Sequence, residues 1–234
     1  NSLNSKILAM AFSAVLLFSV VSIAIPIPSA EAAKSTTITL RGGHGCKLIG
    51  GDWQRNSSTC KITNSFTPTS NIRLAGKFVL YISDTLYTSN FDLIIDQGST
   101  LLINSGATIN NNAVIINYGT INNEGTINRD VVSSIIRNYG VINNYGTIAN
   151  SNYGEIDNYS GAQIFNINGS TINNSGTITN NSGGTINNNS GATITNNQTI
   201  ANSGTINNSG TINGSGSINP KGTINDSGTC NQCA

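Results

Sequence analysis

The side chains of this chain that could do acid–base chemistry are few and lie far apart in the sequence. Its one histidine, His44, stands in the run Gly-Gly-His-Gly with no base-orienting partner nearby. Glu155 and Asp157 are two residues apart and would share one face of a strand, as the paired carboxylates of β-helical polysaccharide hydrolases must. No basic residue accompanies this pair in sequence. We therefore expect no catalytic residue, no cofactor and no metal site.

The four cysteines predict disulfides, because an exported chain keeps its thiols oxidised. Cys46 and Cys60 flank a Gly-Gly-Asp-Trp loop, and Cys230 and Cys233 follow the last repeat. A CxxC pair can also be redox-active or bind zinc. Thioredoxin-like chemistry needs a βαβ context that is missing here, and a zinc site would need the two pairs to meet across the whole repeat region. Structural staples at the two ends are the better interpretation.

Five tyrosines replace the serine that otherwise precedes a Gly or Ser in the repeated phrase. They are expected near equivalent corners of the fold, where some can stack and offer aromatic surface to a glycan or a neighbouring chain. Plain corner packing is the alternative. The five are Tyr118, Tyr139, Tyr145, Tyr153 and Tyr159.

The elements that position these residues come from one phrase, variants of T-I-N-N-S-G, repeated from about residue 100 to residue 228. Isoleucines recur every six residues from Ile200 to Ile224 and every eight from Ile148 to Ile172. Both spacings are even, so one apolar face survives each insertion if the segments are strands, and neither suits a helix. The pattern predicts an all-β chain, a single-stranded parallel β-helix in which coils stack as a solenoid.

Side-chain orientation follows from the phrase Gly204-Thr205-Ile206-Asn207. The isoleucine points inward, flanked by outward Thr and Asn, and the small residue two positions earlier also points inward. Asn and Gly are expected to supply positive φ at the corners, and asparagines in register to form amide ladders. Three six-residue sides give roughly 18 residues per coil and about seven coils over the repeats. A right-handed helix is favoured because of the irregular corners and the cysteine-containing entry region; a left-handed hexapeptide helix is the alternative.

The domain organisation is predicted as a signal peptide over 1–33, an N-terminal β entry region over 34–100, solenoid repeats over 101–228 and a CxxC tail over 229–234. Lys6 precedes an apolar run from Ile7 to Ile25, and the small-residue site Ala30-Glu31-Ala32 follows. This order is typical of a cleaved export signal, with a retained membrane anchor as the alternative. The repeat is interrupted at 129–137, where Val131 and Val132 stand in a loop or in a longer side of one coil.

The chain resembles exported Asn/Gly-rich β-helix proteins found among archaea, notably ammonia oxidisers, and the repeats of bacterial adhesin passengers. The resemblance rests on the C-x13-C loop around Gly-Gly-Asp-Trp, the run I-I-D-Q-G-S-T-L-L-I-N-S-G-A-T-I-N that starts at Ile94, and the G-T-I-N-N repeats. It covers nearly all of the chain after the signal. It implies architecture and a surface location, and it brings no catalytic residues with it.

Charge narrows the choice of partners. Only 9% of residues are charged and the net charge is +1, so nothing steers the chain to nucleic acid, and no second apolar span follows the signal. We expect a secreted or cell-surface protein that does structural or adhesive, non-enzymatic work. Its partners would be cell-envelope glycans, other surface proteins or further copies of itself. The alternative function is an ice-binding or glycan-binding solenoid that uses outward Thr-x-Asn ladders and the tyrosine corners.

Overall fold

The computed structural model describes residues 37–129 and 134–233, and there the chain winds through three parallel sheets in a fixed order. After the first coil, which has no strand in sheet C, each coil contributes one strand to sheet A, the next to sheet B and the next to sheet C, and about eight turns result. The predicted parallel β-solenoid is confirmed. Its handedness stays a prediction, and the predicted signal peptide and the valines at 131 and 132 lie outside the described residues.

The strands are short, with two to four residues each. Sheet A contains Thr37–Leu40, Asn71–Leu74, Leu93–Ile95, Val114–Asn117, Ile135–Asn138, Glu155–Asn158, Thr177–Asn180, Thr199–Asn202 and Ser217–Pro220. Sheet B contains Asp52–Gln54, Thr59–Ile62, Val79–Ile82, Thr100–Ile103, Thr120–Asn123, Val141–Asn144, Gln163–Asn166, Thr185–Asn188, Thr205–Asn208 and Thr223–Asp226. Sheet C contains Thr85–Tyr87, Thr108–Asn110, Thr126–Arg129, Thr147–Asn150, Thr171–Asn174, Thr193–Asn196, Thr211–Asn213 and Thr229–Cys230.

The N-terminal end of the solenoid is covered by the only helical segments among the described residues. These are an α-helix, Gly43–Leu48, and a single 3₁₀ turn, Arg55–Ser57. The strand Asp52–Gln54 runs antiparallel to its neighbour, unlike the other strand pairs. The predicted Cys46–Cys60 disulfide is formed and fully buried, and Trp53 stacks on Phe78 with ring centroids 5.4 Å apart. This cap covers apolar side chains that the first coil would otherwise expose.

Inward isoleucines form the core, as predicted. Within T-I-N-N the second and fourth residues are buried and the first and third are partly exposed, as in Thr205–Asn208. Ile206 pairs in register with Ile186 and Ile224, so each isoleucine stacks on its counterpart in the adjacent coil. The centre of the stack leaves a cavity of only about 10 Å³, lined entirely by isoleucines. That space is apolar and too small to be a ligand site.

Small residues before the strands are required because backbones approach each other closely there, which confirms the predicted inward position. A Cβ placed on Gly204 would lie 2.3 Å from the carbonyl oxygen of Gly184 in the adjacent coil. Where successive isoleucines are eight residues apart, the corner between their strands is longer. Two of these corners contain Gly183 and Gly191, which have φ of 80° and 77°, a conformation that glycine adopts more readily than other residues. The prediction that asparagine shares this role is wrong. Among the described residues, positive φ outside glycine occurs only at Ser58, Lys77 and Ser89.

The asparagine that closes each phrase points into the core instead of forming the corner. In sheet B the Nδ2 of Asn144 donates to the Oδ1 of Asn166 at 2.8 Å, and Asn166 donates to Asn188 at 2.8 Å. Each of these amides also donates to a backbone carbonyl where the next strand starts, for example from Asn166 to Thr193 at 2.8 Å. The predicted amide ladders are therefore confirmed, but they are buried. All three sheets have one: Asn117–Asn138–Asn158–Asn180–Asn202 in sheet A, Asn123–Asn144–Asn166–Asn188–Asn208–Asp226 in sheet B, and Asn150–Asn174–Asn196 in sheet C.

The core changes its chemistry along the rod. In the first coils the fourth position of the strands in sheets A and B is apolar, as in Leu74, Ile82 and Ile103. From Asn117 to Asn208 the same position in these two sheets holds an amide. Among the coils that carry the ladders, length varies between 18 residues, from Asn208 to Asp226, and 24 residues, from Asn150 to Asn174. The uniform 18-residue coil of the prediction thus holds only for part of the solenoid, because the corners absorb the additional residues.

The C-terminal disulfide, Cys230–Cys233, is formed as predicted and supports the last rung of one ladder. Sheet C has Gly214 where the next ladder asparagine would stand. The side chain of Gln232 fills that place: it accepts from Asn196 at 2.9 Å and donates to the carbonyl of Asn196 at 3.0 Å. A glutamine held in a small disulfide loop therefore completes the asparagine ladder from outside the strand.

The ladder makes a testable prediction about stability. Replacing Asn166 with leucine should lower the free energy of unfolding by about 2 to 4 kcal/mol, because the amide of Asn144 and the carbonyl oxygens of Asn188 and Thr193 lose buried partners at about 1 to 3 kcal/mol each. The matched control is Asn173→Leu, at an exposed position in the next strand of the same coil, with an expected change below about 0.5 kcal/mol. Urea unfolding followed by circular dichroism measures both. Equal losses in the two variants would contradict a stabilising ladder.

Candidate functional site

Three of the five tyrosines meet at one edge of the rod. Tyr118, Tyr139 and Tyr159 each follow a strand of sheet A and precede a strand of sheet B, an edge that we name the AB corner. Tyr145 lies between sheets B and C, and Tyr153 between sheets C and A. The structure therefore brings together the column of three and separates the other two, which are exposed on different edges.

The three rings stack on one another because the spacing of coils in a parallel sheet, about 4.8 Å, is also a stacking distance. Ring centroids are 4.9 Å apart for Tyr118 and Tyr139 and 4.2 Å apart for Tyr139 and Tyr159, with interplanar angles of 16° and 11°. Each ring covers a face of the next, so the column shows mainly edges and hydroxyl groups to solvent. At its N-terminal end the outer face of Tyr118 has no tyrosine in the preceding coil.

A groove of about 670 Å³ begins at that outer face and runs toward the N-terminal cap. Its lining comes from consecutive coils at the AB corner: Arg41, Arg73, Ala75, Gly76, Asp96, Gln97 and Tyr118. Backbone hydrogen bonds from Ala75 to Leu40 and from Asp96 to Leu74 fix the register of these corners. The groove is open because the corner residues Ala75 and Gly76 are small.

Charges in the groove are only partly compensated. The Nε of Arg73 donates to both carboxylate oxygens of Asp96, at 3.1 and 2.9 Å. Arg41 is exposed, and no acidic side chain pairs with it among the described residues. The groove therefore combines an available guanidinium, a carboxylate and an aromatic face within one cleft.

A second charged cluster lies beside the tyrosine column, on the outer face of sheet A. Asp157 pairs in register with Arg137 of the preceding coil and with Thr179 of the next. The acid pair that lacks a basic companion in sequence thus gains one, Arg137, through coil stacking. Burial, repulsion from Glu155 and a hydrogen bond with Glu155 raise the pKa of Asp157 to about 6, while Arg137 and Thr179 act in the opposite direction.

The same surroundings affect the tyrosines. A hydrogen bond with Tyr139, burial and the charge of Asp157 raise the pKa of Tyr159 to about 12. Its hydroxyl therefore stays protonated at neutral pH. The cluster thus contains two carboxylates, one guanidinium and two phenol groups. The two carboxylates, Glu155 and Asp157, can share one proton. No feature of its geometry places a substrate there.

Arg129 is the buried charge nearest to this cluster. It occupies a ladder position in sheet C, where its Nη1 donates to the Oδ1 of Asn150 at 2.8 Å and its Nη2 donates to the carbonyl of Ser134. Burial lowers its pKa to about 9, partly offset by Glu155 and Asp157, so the guanidinium remains charged at neutral pH. Its first role is structural, since it starts the sheet C amide ladder.

Outward threonines form one uninterrupted row, on sheet C. Every strand of this sheet begins with threonine, and adjacent threonines pair in register from Thr85 to Thr229. On sheet B the corresponding row is broken by Val141 and Gln163. On sheet A it contains Glu155. The outward Thr pattern therefore occurs on all three sides but is continuous on one.

The other candidate groups lie apart from these surfaces. His44 is exposed on the cap, beside Lys47, Trp53 and Arg55. Asp226, Cys230 and Cys233 lie close enough to share a metal ion. Both sulfurs are joined in a disulfide, however, and the carboxylate of Asp226 accepts a hydrogen bond from Asn208 at 2.7 Å. The three side chains are therefore already bonded to other groups of the protein.

Comparison with protein-family models, with curated proteins and with solved structures gives no match for this chain. The structure itself shows a parallel β-solenoid with buried isoleucine and asparagine columns. Among the residues that it describes, no helix is long and apolar enough to cross a membrane.

The groove was not predicted from the sequence, although its tyrosine was. Arg41, Arg73 and Asp96 lie in the entry region, where the six- and eight-residue phrase is absent and the coil register is not visible. The available signal was the alternation of apolar residues in the segments around Leu40, Leu74 and Ile95. Aligning those three residues as one inward column would have placed the charged neighbours at a common corner.

The raised pKa of Asp157 predicts a pH dependence of stability. Its folded-state pKa, about 6, exceeds its ordinary value near 4, so the folded state binds this proton more tightly than the unfolded state. This contribution to stability is complete below pH 4 and is lost as the pH rises through 6. The melting temperature should therefore fall between pH 4 and pH 6, and Asp157→Asn should reduce that fall. Asp52→Asn removes an exposed acid from the cap and should leave the fall unchanged; the same slope in all three proteins would contradict the assignment.

Proposed function

We propose that this protein is an exported, non-enzymatic solenoid that does structural or adhesive work at the cell surface. The observation that carries the proposal is the pairing of buried isoleucine and amide columns, which gives a rod whose backbone and inward side chains are hydrogen-bonded from coil to coil. Such a rod resists local opening and proteolysis. Its outward positions are mostly threonine and asparagine, which suit many weak contacts with a hydrated polymer.

Export and surface location are supported first by the N-terminal sequence. The order of Lys6, the apolar run and the small-residue site is that of a secretory signal. Two disulfides are the covalent cross-links of an oxidising compartment. The resemblance to archaeal surface proteins and adhesin passengers belongs with this proposal, as a resemblance of repeat phrases.

The partners we propose are cell-envelope glycans, other surface proteins or further copies of the rod. The tyrosine column supports a glycan partner, because the outer face of Tyr118 can stack on a sugar ring and the hydroxyl groups of the column can bond to sugar hydroxyls. The low charge of the chain favours contacts of this kind over electrostatic ones.

The adhesive role predicts retention of envelope material. Beads that carry the purified protein should retain polysaccharide from the envelope of the producing cell. Replacing Tyr118, Tyr139 and Tyr159 together by alanine should reduce retention at least fivefold. The matched control is the double variant of Tyr145 and Tyr153, which lie on other edges and should change retention less than twofold.

Antibody labelling of intact producing cells tests location at the same time. An unlabelled surface, or retention no better than with blank beads, would contradict the proposal.

Ice binding is the second candidate function, favoured by the uninterrupted threonine row of sheet C. Regularly spaced hydroxyl and methyl groups on a flat, stiff sheet can order water. If this face binds ice, the protein should show thermal hysteresis, and Thr171→Tyr in the middle of the row should abolish it. Thr185→Tyr makes the same change on sheet B, where the row is broken, and should have no effect. The absence of hysteresis in the unaltered protein would eliminate this candidate.

A further inference from the structure

We infer that the groove between Arg41 and Tyr118 is a binding site for a short glycan that carries a carboxylate group, such as a chain of uronic acids. This assignment rests on the proposed adhesive role and names the ligand class for it. Three independent features of the groove support it: its aromatic end, its available guanidinium and its length.

The aromatic end is the outer face of Tyr118. The side chain is 47% exposed, and its other face is covered by Tyr139 at 4.9 Å. The stack holds the ring in one orientation, so little conformational entropy remains to be lost on binding. A rigid ring whose free face opens into a cleft suits the apolar face of a pyranose. The faces inside the column are not available, which makes this end of the column the stacking position.

The guanidinium of Arg41 lies at the far end of the same cleft. It is exposed and forms no ion pair with the residues that the structure describes, whereas Arg73 already uses its Nε to hold Asp96. An unpaired guanidinium accommodates a carboxylate in bidentate geometry. Asp96 and Gln97, between the two ends, offer acceptors and a donor for sugar hydroxyls.

The dimensions favour an oligosaccharide over a single small anion. Arg41 and Tyr118 belong to corners three coils apart, which corresponds to about 14 Å along the rod at the usual strand spacing. That is longer than one pyranose ring. The volume of about 670 Å³ falls within the range of ligand clefts, about 300 to 1,000 Å³.

The charges disfavour a polyphosphate ligand. Two guanidinium groups and one carboxylate leave a net charge of +1 in the groove, and Asp96 lies in its middle. A polyphosphate would bring only acceptor oxygens to that carboxylate, and the groove lacks the row of cations that such ligands require. A short uronic acid chain can direct one carboxylate to Arg41, and the hydroxyl groups of its rings can donate to Asp96.

The experiment is a calorimetric titration of the protein, both disulfides intact, with trigalacturonic acid as the acidic probe. Its fully methyl-esterified form is the matched neutral ligand. We expect the acid to bind at least tenfold more tightly than the ester. Arg41→Gln should weaken binding of the acid at least tenfold and leave the ester unchanged. Tyr118→Ala should weaken both ligands, and Tyr118→Phe should retain binding, since phenylalanine keeps the stacking face.

Two control variants isolate the groove. Lys221→Gln removes one exposed positive charge at the other end of the AB corner, and Tyr145→Ala removes one exposed tyrosine from another edge. Each should change affinity less than twofold, and melting temperatures verify that all variants fold. Equal binding of acid and ester, no effect of Arg41→Gln, or no binding of either ligand would overturn the assignment. If trigalacturonic acid fails while the protein-coated beads still retain envelope polysaccharide, this site falls and the adhesive role stands. If trigalacturonic acid binds as expected while the beads retain no envelope polysaccharide, the adhesive role is contradicted and the site stands.

Discussion

A buried amide needs a partner, and in this protein the partner is the same amide one coil away. The side chain of asparagine can both donate and accept, so a column of asparagines at the spacing of a parallel sheet satisfies itself. Asn158 accepts from Asn138 at 2.9 Å and donates to Asn180 at 2.8 Å, in surroundings from which water is excluded. Leaving any one of these groups unpaired in a dry core is costly, so the requirement fixes the register of the coils that carry the ladders.

The rest of the solenoid follows from that register. Isoleucines stack because they stand two residues before the ladder asparagines, and the close approach of adjacent corners admits only small residues such as Gly204. In the coils that carry the ladders, length varies from 18 to 24 residues because additional residues enter at corners, outside the ladder. The ends are closed by other means: an apolar, disulfide-linked cap at one, and Gln232 in a disulfide loop near the other. The other corner residues do not take part in the ladder, so their side chains can be large or charged. Tyr118 and Arg41 are two such residues, and the groove lies between them.

The even spacing of isoleucines was sufficient to predict strands, inward columns and a parallel solenoid from the sequence, because a period of two tolerates even insertions and a helical period does not. The burial of the second asparagine in the T-I-N-N phrase was not predictable from this spacing. Composition suggests that asparagine belongs in corners, and only the stacked geometry shows that Asn208 can be buried at no loss of hydrogen bonds. The groove was missed for a related reason. Arg41 and Asp96 are 55 positions apart in sequence, and they line one groove only after the irregular first coils are placed in register.

The most direct measurement is the hydrogen exchange of individual asparagine side-chain amides, followed by NMR in an isotopically labelled protein. If the buried ladder stabilises the rod, the Nδ2 protons of Asn144, Asn166 and Asn188 should exchange only when the solenoid opens cooperatively, many times more slowly than those of exposed Asn152 and Asn173. Similar exchange rates for the two groups would show that water reaches the inward amides, and the self-satisfying ladder would then not be the interaction on which the fold depends.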